Sequence, residues 1–223
     1  MLIVVTGASK GIGYETVNIL AQEHKVIAIA RSKAIFTSEN VYFIQGDISD
    51  INTIHQIKNK IEQQNNVLDI LINNAGFLVN KKFFDISSEE LHQMYQTNVF
   101  APFTLTQQLL PFMSNAQKPH IINISSMGGI TGTQKFPGLS AYASSKGALS
   151  ILTECIAEEL KEKKIFCNAL ALGATQTEML EKAFPGIQAP INSKNMAEYI
   201  SWFALNGHSY FNGKVLPVAL TTP

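Results

Sequence analysis

Short apolar runs separated by amphipathic stretches organise this chain. Leu2 to Val5, Val26 to Ala30, Val41 to Gln45, Leu68 to Ile72, His120 to Ile124, Ile165 to Leu170 and Lys214 to Leu220 are strand-length and, in the main, rich in Val, Ile and Leu. Between them, Tyr14 to His24, Ile51 to Ile61, Leu91 to Met113, Ala141 to Lys161 and Ser193 to Leu205 repeat apolar residues at helical spacing. Ser87 with Glu90 three residues on is a capping box that opens the third helix, and Pro102 predicts a kink within it. Strands that alternate with helices and are apolar on both faces predict the α/β class. The expected form is an open, doubly wound parallel sheet covered on both faces by helices, with its ligand across the carboxyl ends of the strands.

Composition narrows the partners. At 223 residues and 46% hydrophobic, the chain suits one well-filled core, read as a single domain over 1–223. Lys plus Arg equal Asp plus Glu at 17 each, and no basic run occurs, so neither nucleic acid nor an anionic membrane is the expected main partner. The first apolar run stops at Thr6-Gly7, too short for a signal segment or a span, and a soluble, cytoplasmic protein is expected. Cys155 and Cys167 lack metal-ligand spacing and are expected to be buried thiols; the five histidines are scattered, and no metal is expected.

The chemistry-bearing residues cluster at the ends of strands. After Val5 comes Thr6-Gly7-Ala8-Ser9-Lys10-Gly11-Ile12-Gly13 and then a helix. Glycines let a backbone approach a ligand, and free N–H groups at a helix start attract a pyrophosphate, so Gly7, Ser9, Lys10, Gly11, Ile12 and Gly13 are candidate cofactor contacts. The second strand ends at Arg31 where a dinucleotide's adenosine ribose is expected; an acidic residue there would take a free 2′-hydroxyl, whereas Arg31 and Lys10 offer two cations to a 2′-phosphate, which points to NADP(H). Asp47, beside Ile48 after the third strand, could accept from the adenine amino group or cap the helix beginning near Asp50. Asn74-Ala75-Gly76 suits a bend lining the crevice, and Asn98 is a poor interior helix residue. The fifth strand delivers Ser125 and Ser126 to the same end of the sheet. Tyr142 and Lys146, four apart on a helix, stack on one face. Such a pair is ordinarily a solvated one, but a nearby ammonium also stabilises a phenolate and would bring the tyrosine below its usual pKa of about 10.

Together, Thr6-Gly7-x-x-x-Gly11-x-Gly13, Asn73-Asn74-Ala75-Gly76, Asn98, Ile124-Ser125-Ser126 and Tyr142-x-x-x-Lys146 resemble the short-chain dehydrogenase/reductase family. The resemblance implies a Rossmann-type, three-layer α/β/α sheet of about seven strands in order 3-2-1-4-5-6-7, a catalytic set of Asn98, Ser126, Tyr142 and Lys146, and homodimers or homotetramers packed through the helices that hold Asn98 and Tyr142. It implies that Tyr142 donates a proton to a substrate carbonyl oxygen, Ser126 hydrogen-bonds that oxygen, Lys146 lowers the Tyr142 pKa and holds the nicotinamide ribose, and Asn98 positions a water. Ile48, Ala75, Gly173, Thr175 and Thr177 become further cofactor contacts, with Thr177 on the nicotinamide carboxamide. The chain departs from the family pattern in three places: Ser126 precedes Tyr142 by sixteen residues as though Thr133-Gln134-Lys135 were inserted, Leu172-Gly173 stands for the usual Pro-Gly, and a short lid occupies about residues 178–192. The implied reaction is NADP(H)-dependent reduction of a small-molecule carbonyl, or the reverse. A sepiapterin-type pterin reductase and a 3-oxoacyl-carrier-protein reductase are alternatives within the family, and a non-enzymatic NADP(H)-binding scaffold is the contrasting class. If Arg31 meets a 2′-phosphate, Arg31→Asp swings preference towards NAD(H); comparing kcat/KM for NADPH and NADH in both chains checks this, and an unchanged ratio removes the argument.

Overall fold

In the computed structural model, which describes residues 1–220, seven parallel strands form one sheet. They are β1 (Leu2–Thr6), β2 (Lys25–Ala30), β3 (Val41–Gln45), β4 (Ile70–Asn73), β5 (His120–Ser126), β6 (Phe166–Leu172) and β7 (Val215–Val218). Their order is 3-2-1-4-5-6-7, as expected. The chain reverses direction across the sheet at β1, whose Val4 pairs with Ile27 of β2 on one side and Leu71 of β4 on the other. A crevice opens at that switch point.

Alternation along the strands explains why their sequences look uniformly apolar. Val4, Ile27, Ile29, Leu71 and Ile121 face α2 (Ile51–Glu62) and α4 (Ala101–Met113), with α5 (Ser140–Glu159) completing that layer. Ile3, Val5, Val26, Ala28 and Ile72 face α1 (Gly11–Leu20) and the last helix, Ser193–Asn206, which contributes Met196, Ile200 and Phe203. Successive residues point to opposite faces and both faces are covered, so no polar stripe appears.

Element ends differ from the sequence reading for identifiable reasons. α1 starts at Gly11 rather than Tyr14, because the second half of the glycine loop already forms its first turn. The long third helix is three pieces: α3 (Ser88–Tyr95), capped by the Ser87/Glu90 box, then a π turn over Gln96–Phe100, then α4. Pro102 sits in the first turn of α4; it has no N–H for the carbonyl four residues back, which is that of Asn98, and its ring crowds it. The irregularity therefore precedes the proline. Past β6, helix α6 (Glu178–Ala183) is bracketed by a two-residue parallel ladder, Thr175–Gln176 with Ile191–Asn192; the last helix is α7. Cys167 is buried and Cys155 is exposed, so only one of the two thiols is inside. Among the described residues no helix is long and apolar enough to cross a membrane.

One buried histidine ties the amino-terminal end of the sheet together. His120 is fully buried, with Nδ1 3.1 Å from the Ala204 carbonyl and Nε2 3.0 Å from the Asn168 amide nitrogen. A carbonyl needs a donor and an amide N–H needs an acceptor, so the ring is neutral with its proton on Nδ1. Burial pushes its pKa down to about 4, with the Ala204 contact opposing and His208 assisting. The folded pKa lies below the unfolded one, so this contribution is present above pH 6.5 and is lost as pH falls towards 4. Urea unfolding at pH 7 and 4.5 is expected to show His120 losing on the order of 3 kcal/mol of stability across that range; His120→Gln should flatten the slope.

Candidate functional site

Three segments converge at the carboxyl end of β1. Gly7 turns with φ +69° and brings the chain against Ala75, where an added Cβ would lie 2.7 Å from the Ala75 Cα. Thr6 Oγ accepts from the backbone N–H groups of Asn74 and Ala75 at 3.1 and 3.0 Å, while Asn74 Nδ2 donates to the carbonyls of Thr6 and Gly7 at 2.9 and 3.2 Å. At Gly13 an added Cβ would come within 2.3 Å of the Gly7 oxygen and 2.4 Å of Asn74 Nδ2. Glycine at both positions is thus a packing requirement. α1 begins beside this turn with no side-chain cap and no acidic residue in its first turn. Its free N–H groups and the positive end of its dipole face outward.

That opening is the end of a cavity of about 630 Å³. Its wall takes in Gly7, Ser9, Lys10, Gly11, Ile12 and Gly13 of the loop; Arg31, Asp47 and Ile48 beyond β2 and β3; Asn74, Ala75 and Gly76 beyond β4; and Gly173, Thr175 and Thr177 beyond β6. Ser126, Tyr142 and Lys146 line the same cavity. Asn98 does not. It is fully buried behind the wall, with Oδ1 accepting from Phe77 N at 2.8 Å and Nδ2 donating to Phe77 O and Ser145 Oγ, each at 2.9 Å. Its carboxamide therefore closes the bend after β4.

The two exposed cations on the cavity wall each face a carboxylate. Arg31 lies 4.0 Å from Asp47, and Lys10 forms an ion pair with Glu178 of α6, which holds the Glu178 carboxyl below its usual range. Asp47 is not the helix cap: Asp50 caps α2 by accepting from Asn52 N, while Asp47 accepts from the backbone and hydroxyl of Ser49 in a tight local turn. Thr177 caps α6, accepting from Leu180 N at 3.2 Å, and Gly173 is pressed against Ala219 of the chain after β7.

At the other end, Ser125 and Ser126 part company. Ser125 Oγ turns inward and donates to the Lys146 carbonyl at 2.9 Å, where Ser150 also donates, fixing the strand against α5. Ser126 faces the cavity and accepts from Gly128 N. Lys146 is 3% exposed; its ammonium donates to the Ile124 carbonyl at 2.7 Å and lies 5.9 Å from the centre of the Tyr142 ring. Burial lowers the Lys146 pKa to about 8. Burial also raises Tyr142 to about 12, the neighbouring Ser126 hydroxyl pulling the other way. Burial thus holds the phenol above its ordinary value, where the spacing of Tyr142 and Lys146 predicts that the ammonium brings it below, and the ammonium is directed at the Ile124 carbonyl of β5.

The residues of the loop between Ser126 and Tyr142 were not separable from their sequence. Thr133 donates to the Met127 and Ile130 carbonyls and Lys135 to the Ile130 carbonyl, so the extra residues are stapled into a compact turn. Phe136 and Leu139 emerge from it onto the cavity wall opposite Met179 and Leu180 of the lid. Thr6 and Glu178 are also polar contributors whose partners no local pattern reveals.

A parallel seven-stranded sheet with a glycine-loop crevice at its switch point defines a Rossmann-like α/β protein, with a serine, a tyrosine and a lysine at the far end of that crevice. Residues 1–188 match the short chain dehydrogenase family, and the chain belongs to it. Among its relatives is the 3-oxoacyl-(acyl-carrier-protein) reductase FabG of Thermotoga maritima, 26% identical over 96% of this chain and 94% of that protein. The solved 3-ketoacyl-(acyl-carrier-protein) reductase from Brucella melitensis, complexed with NADH, superposes with a TM-score of 0.87 at 24% identity, covering 97% of this chain and 96% of that one, a likeness of fold. ElxO with NADP bound superposes at 0.84 with 27% identity over 97% and 96%.

The uncapped start of α1, the positive-φ glycines and a cavity of about 630 Å³ that runs past the ends of several strands fit a dinucleotide. Gly13→Ala should cost roughly 1–3 kcal/mol of stability and at least about ten-fold in nicotinamide-cofactor affinity, as Gly7 and Asn74 are forced apart. Gly128→Ala, whose added Cβ would have only ordinary contacts at 3.6 and 3.7 Å, is the control in thermal unfolding.

Proposed function

We propose that this chain is an NADP(H)-dependent oxidoreductase interconverting a carbonyl and an alcohol, with Tyr142 as general acid/base. The observation that carries the reading is one continuous cavity with the glycine loop at one end and the Tyr142 phenol, Ser126 hydroxyl and Lys146 ammonium at the other. When bound, the cofactor's nicotinamide supplies a hydride to the carbonyl carbon. Tyr142 carries the proton at neutral pH, but burial that holds it up to about 12 makes it a reluctant donor, so the transfer to the carbonyl oxygen depends on what offsets the phenolate it leaves. Ser126 orients that oxygen, and Lys146 sits where its charge offsets the phenolate left behind and where a ribose hydroxyl can reach it. Asn98 holds the Phe77 backbone through two hydrogen bonds and ties it to α5 through a third, to Ser145 Oγ. The substrate end of the cavity presents Met127, Phe136, Leu139, Met179 and Phe184, a wall suited to an apolar carbonyl compound.

Arg31 and Lys10 support NADP(H) over NAD(H), each able to exchange a carboxylate for a 2′-phosphate. A 3-oxoacyl thioester is the second reading, favoured by the Thermotoga relative. Residues 1–223 act as one catalytic and cofactor-binding unit with the lid at about 178–192. Two free thiols suit a reducing, cytoplasmic setting. On the outer faces of α4 and α5, Phe103 and Ile151 remain 48% and 61% exposed, and this face is assigned to pairing of subunits.

NADPH oxidation with a panel of aldehydes, diketones, quinones, a pterin and a 3-oxoacyl thioester tests the reading. Tyr142→Phe is expected to lower kcat by at least about 100-fold with little change in NADPH affinity. Carbonyl reduction should decline as pH rises through about 8, where Lys146 loses the proton that offsets the phenolate. Activity that survives Tyr142→Phe ends the proton-donor assignment, and inertness to the whole panel with intact NADPH binding favours a scaffold.

A further inference from the structure

The mouth of the cavity holds an ion pair that the proposed reaction does not use. Lys10, in the cofactor loop, reaches across to Glu178, the first residue of the lid helix α6. At the other end of that helix, Asn80 Nδ2 donates to the Ala183 carbonyl at 2.7 Å. The lid is thus tied at its start to the glycine loop and at its end to the chain beyond β4. The two sides already touch, since a Cβ on Gly11 would lie 3.6 Å from the Thr177 methyl, so the Lys10 side chain spans them without backbone movement. Both Lys10 and Glu178 line the cavity and are 52% and 59% exposed, leaving the ammonium open to a ligand. An ammonium is one point charge on a flexible stem, and a phosphate with about two charges and three strong acceptor oxygens competes well against a single exposed carboxylate.

We infer that Glu178 is a specificity-determining residue for the cofactor and the latch of the lid, a step that rests on the NADP(H) reading above. Lys10 pairs with Glu178 until a 2′-phosphate arrives, then turns to the phosphate and releases the start of α6. NAD(H), with a free 2′-hydroxyl, leaves the pair intact. The coupling is reciprocal by linkage: weakening the pair favours the phosphate, and binding the phosphate frees the start of the lid, which stays held at Ala183 and by the ladder at its base. Glu178 therefore holds down NADP(H) affinity and ties lid mobility to the identity of the cofactor.

The test uses the full chain and its Glu178→Gln variant. NADPH and NADH are titrated by nicotinamide fluorescence, and amide exchange over 178–192 is followed without cofactor, with NADP+ and with NAD+. Glu178→Gln should tighten NADPH by about two- to five-fold, the range of an exposed ion pair, and leave NADH unchanged. In the native chain the lid amides should exchange faster with NADP+ than with NAD+, and the variant should erase that difference. No change in NADPH affinity, or equal shifts for both cofactors, overturns the inference. A native chain that prefers NADH sinks the cofactor reading instead; lid exchange in the cofactor-free variant then judges the latch alone, faster exchange retaining it and unchanged exchange overturning it.

Discussion

Everything at the carboxyl end of this sheet depends on how closely β1, α1 and β4 approach one another. The Gly7 carbonyl is the meeting point: Asn74 donates to it, and the Cα hydrogen of Gly13 faces it where any side chain would collide. Because β1 and β4 are adjacent across the switch point, the same contact sets the width of the crevice. Thr6 adds two more hydrogen bonds to this joint from the strand side. The loop cannot relax away from β4 without leaving buried donors unsatisfied, so the helix start that would receive a pyrophosphate is held in advance of any ligand.

The opposite end of the crevice is organised by desolvation. Tyr142 and Lys146 are moved by burial in opposite directions, the phenol up and the ammonium down, and each shift favours the neutral form. Burial alone thus brings the two pKa values no nearer a phenolate–ammonium pair. What it does is make every added charge count: in a poorly solvated pocket, a developing negative charge on the phenol oxygen would feel the ammonium far more than at a surface. Ser125 and Ser150 fix the backbone of Lys146 through its carbonyl, so the charge is carried on a stiff support.

Much of this architecture is written locally. Ile3, Val4 and Val5 alternate between two helix layers, which is why a run with no polar stripe announces a doubly covered strand. Ser87 and Glu90 announce a helix start within four residues. Most of the side chains that share the cavity were legible too, because strand ends in a parallel sheet must lie together; Asn98, which is not at a strand end, lies behind the wall instead. What local pattern hides is long-range pairing and solvation. Glu178 meets Lys10 across 168 residues of sequence, the Asp47 carboxylate yields the cap to Asp50 three residues on, and the direction of the Tyr142 shift follows from packing density that no spacing of residues encodes. Cys155 illustrates the same limit: its residue type favours the interior, but its position on α5 faces outward beside Ile151.

The buried lysine is the residue hardest to explain as architecture. Among the described residues its ammonium has one hydrogen-bond partner, the Ile124 carbonyl, and no carboxylate. An ammonium in that position gives up most of its hydration for a single acceptor, and an apolar side chain of similar length would pack there at lower cost. Fold stability therefore argues against a lysine at 146. A charge needed at the head of the cavity argues for one, and the two N–H groups not used by Ile124 remain for whatever occupies the space beside Tyr142. The sheet and its two core layers supply enough burial for the fold to tolerate this local penalty, which is why a buried ammonium with a single acceptor can sit at the end of an otherwise conventional set of strands.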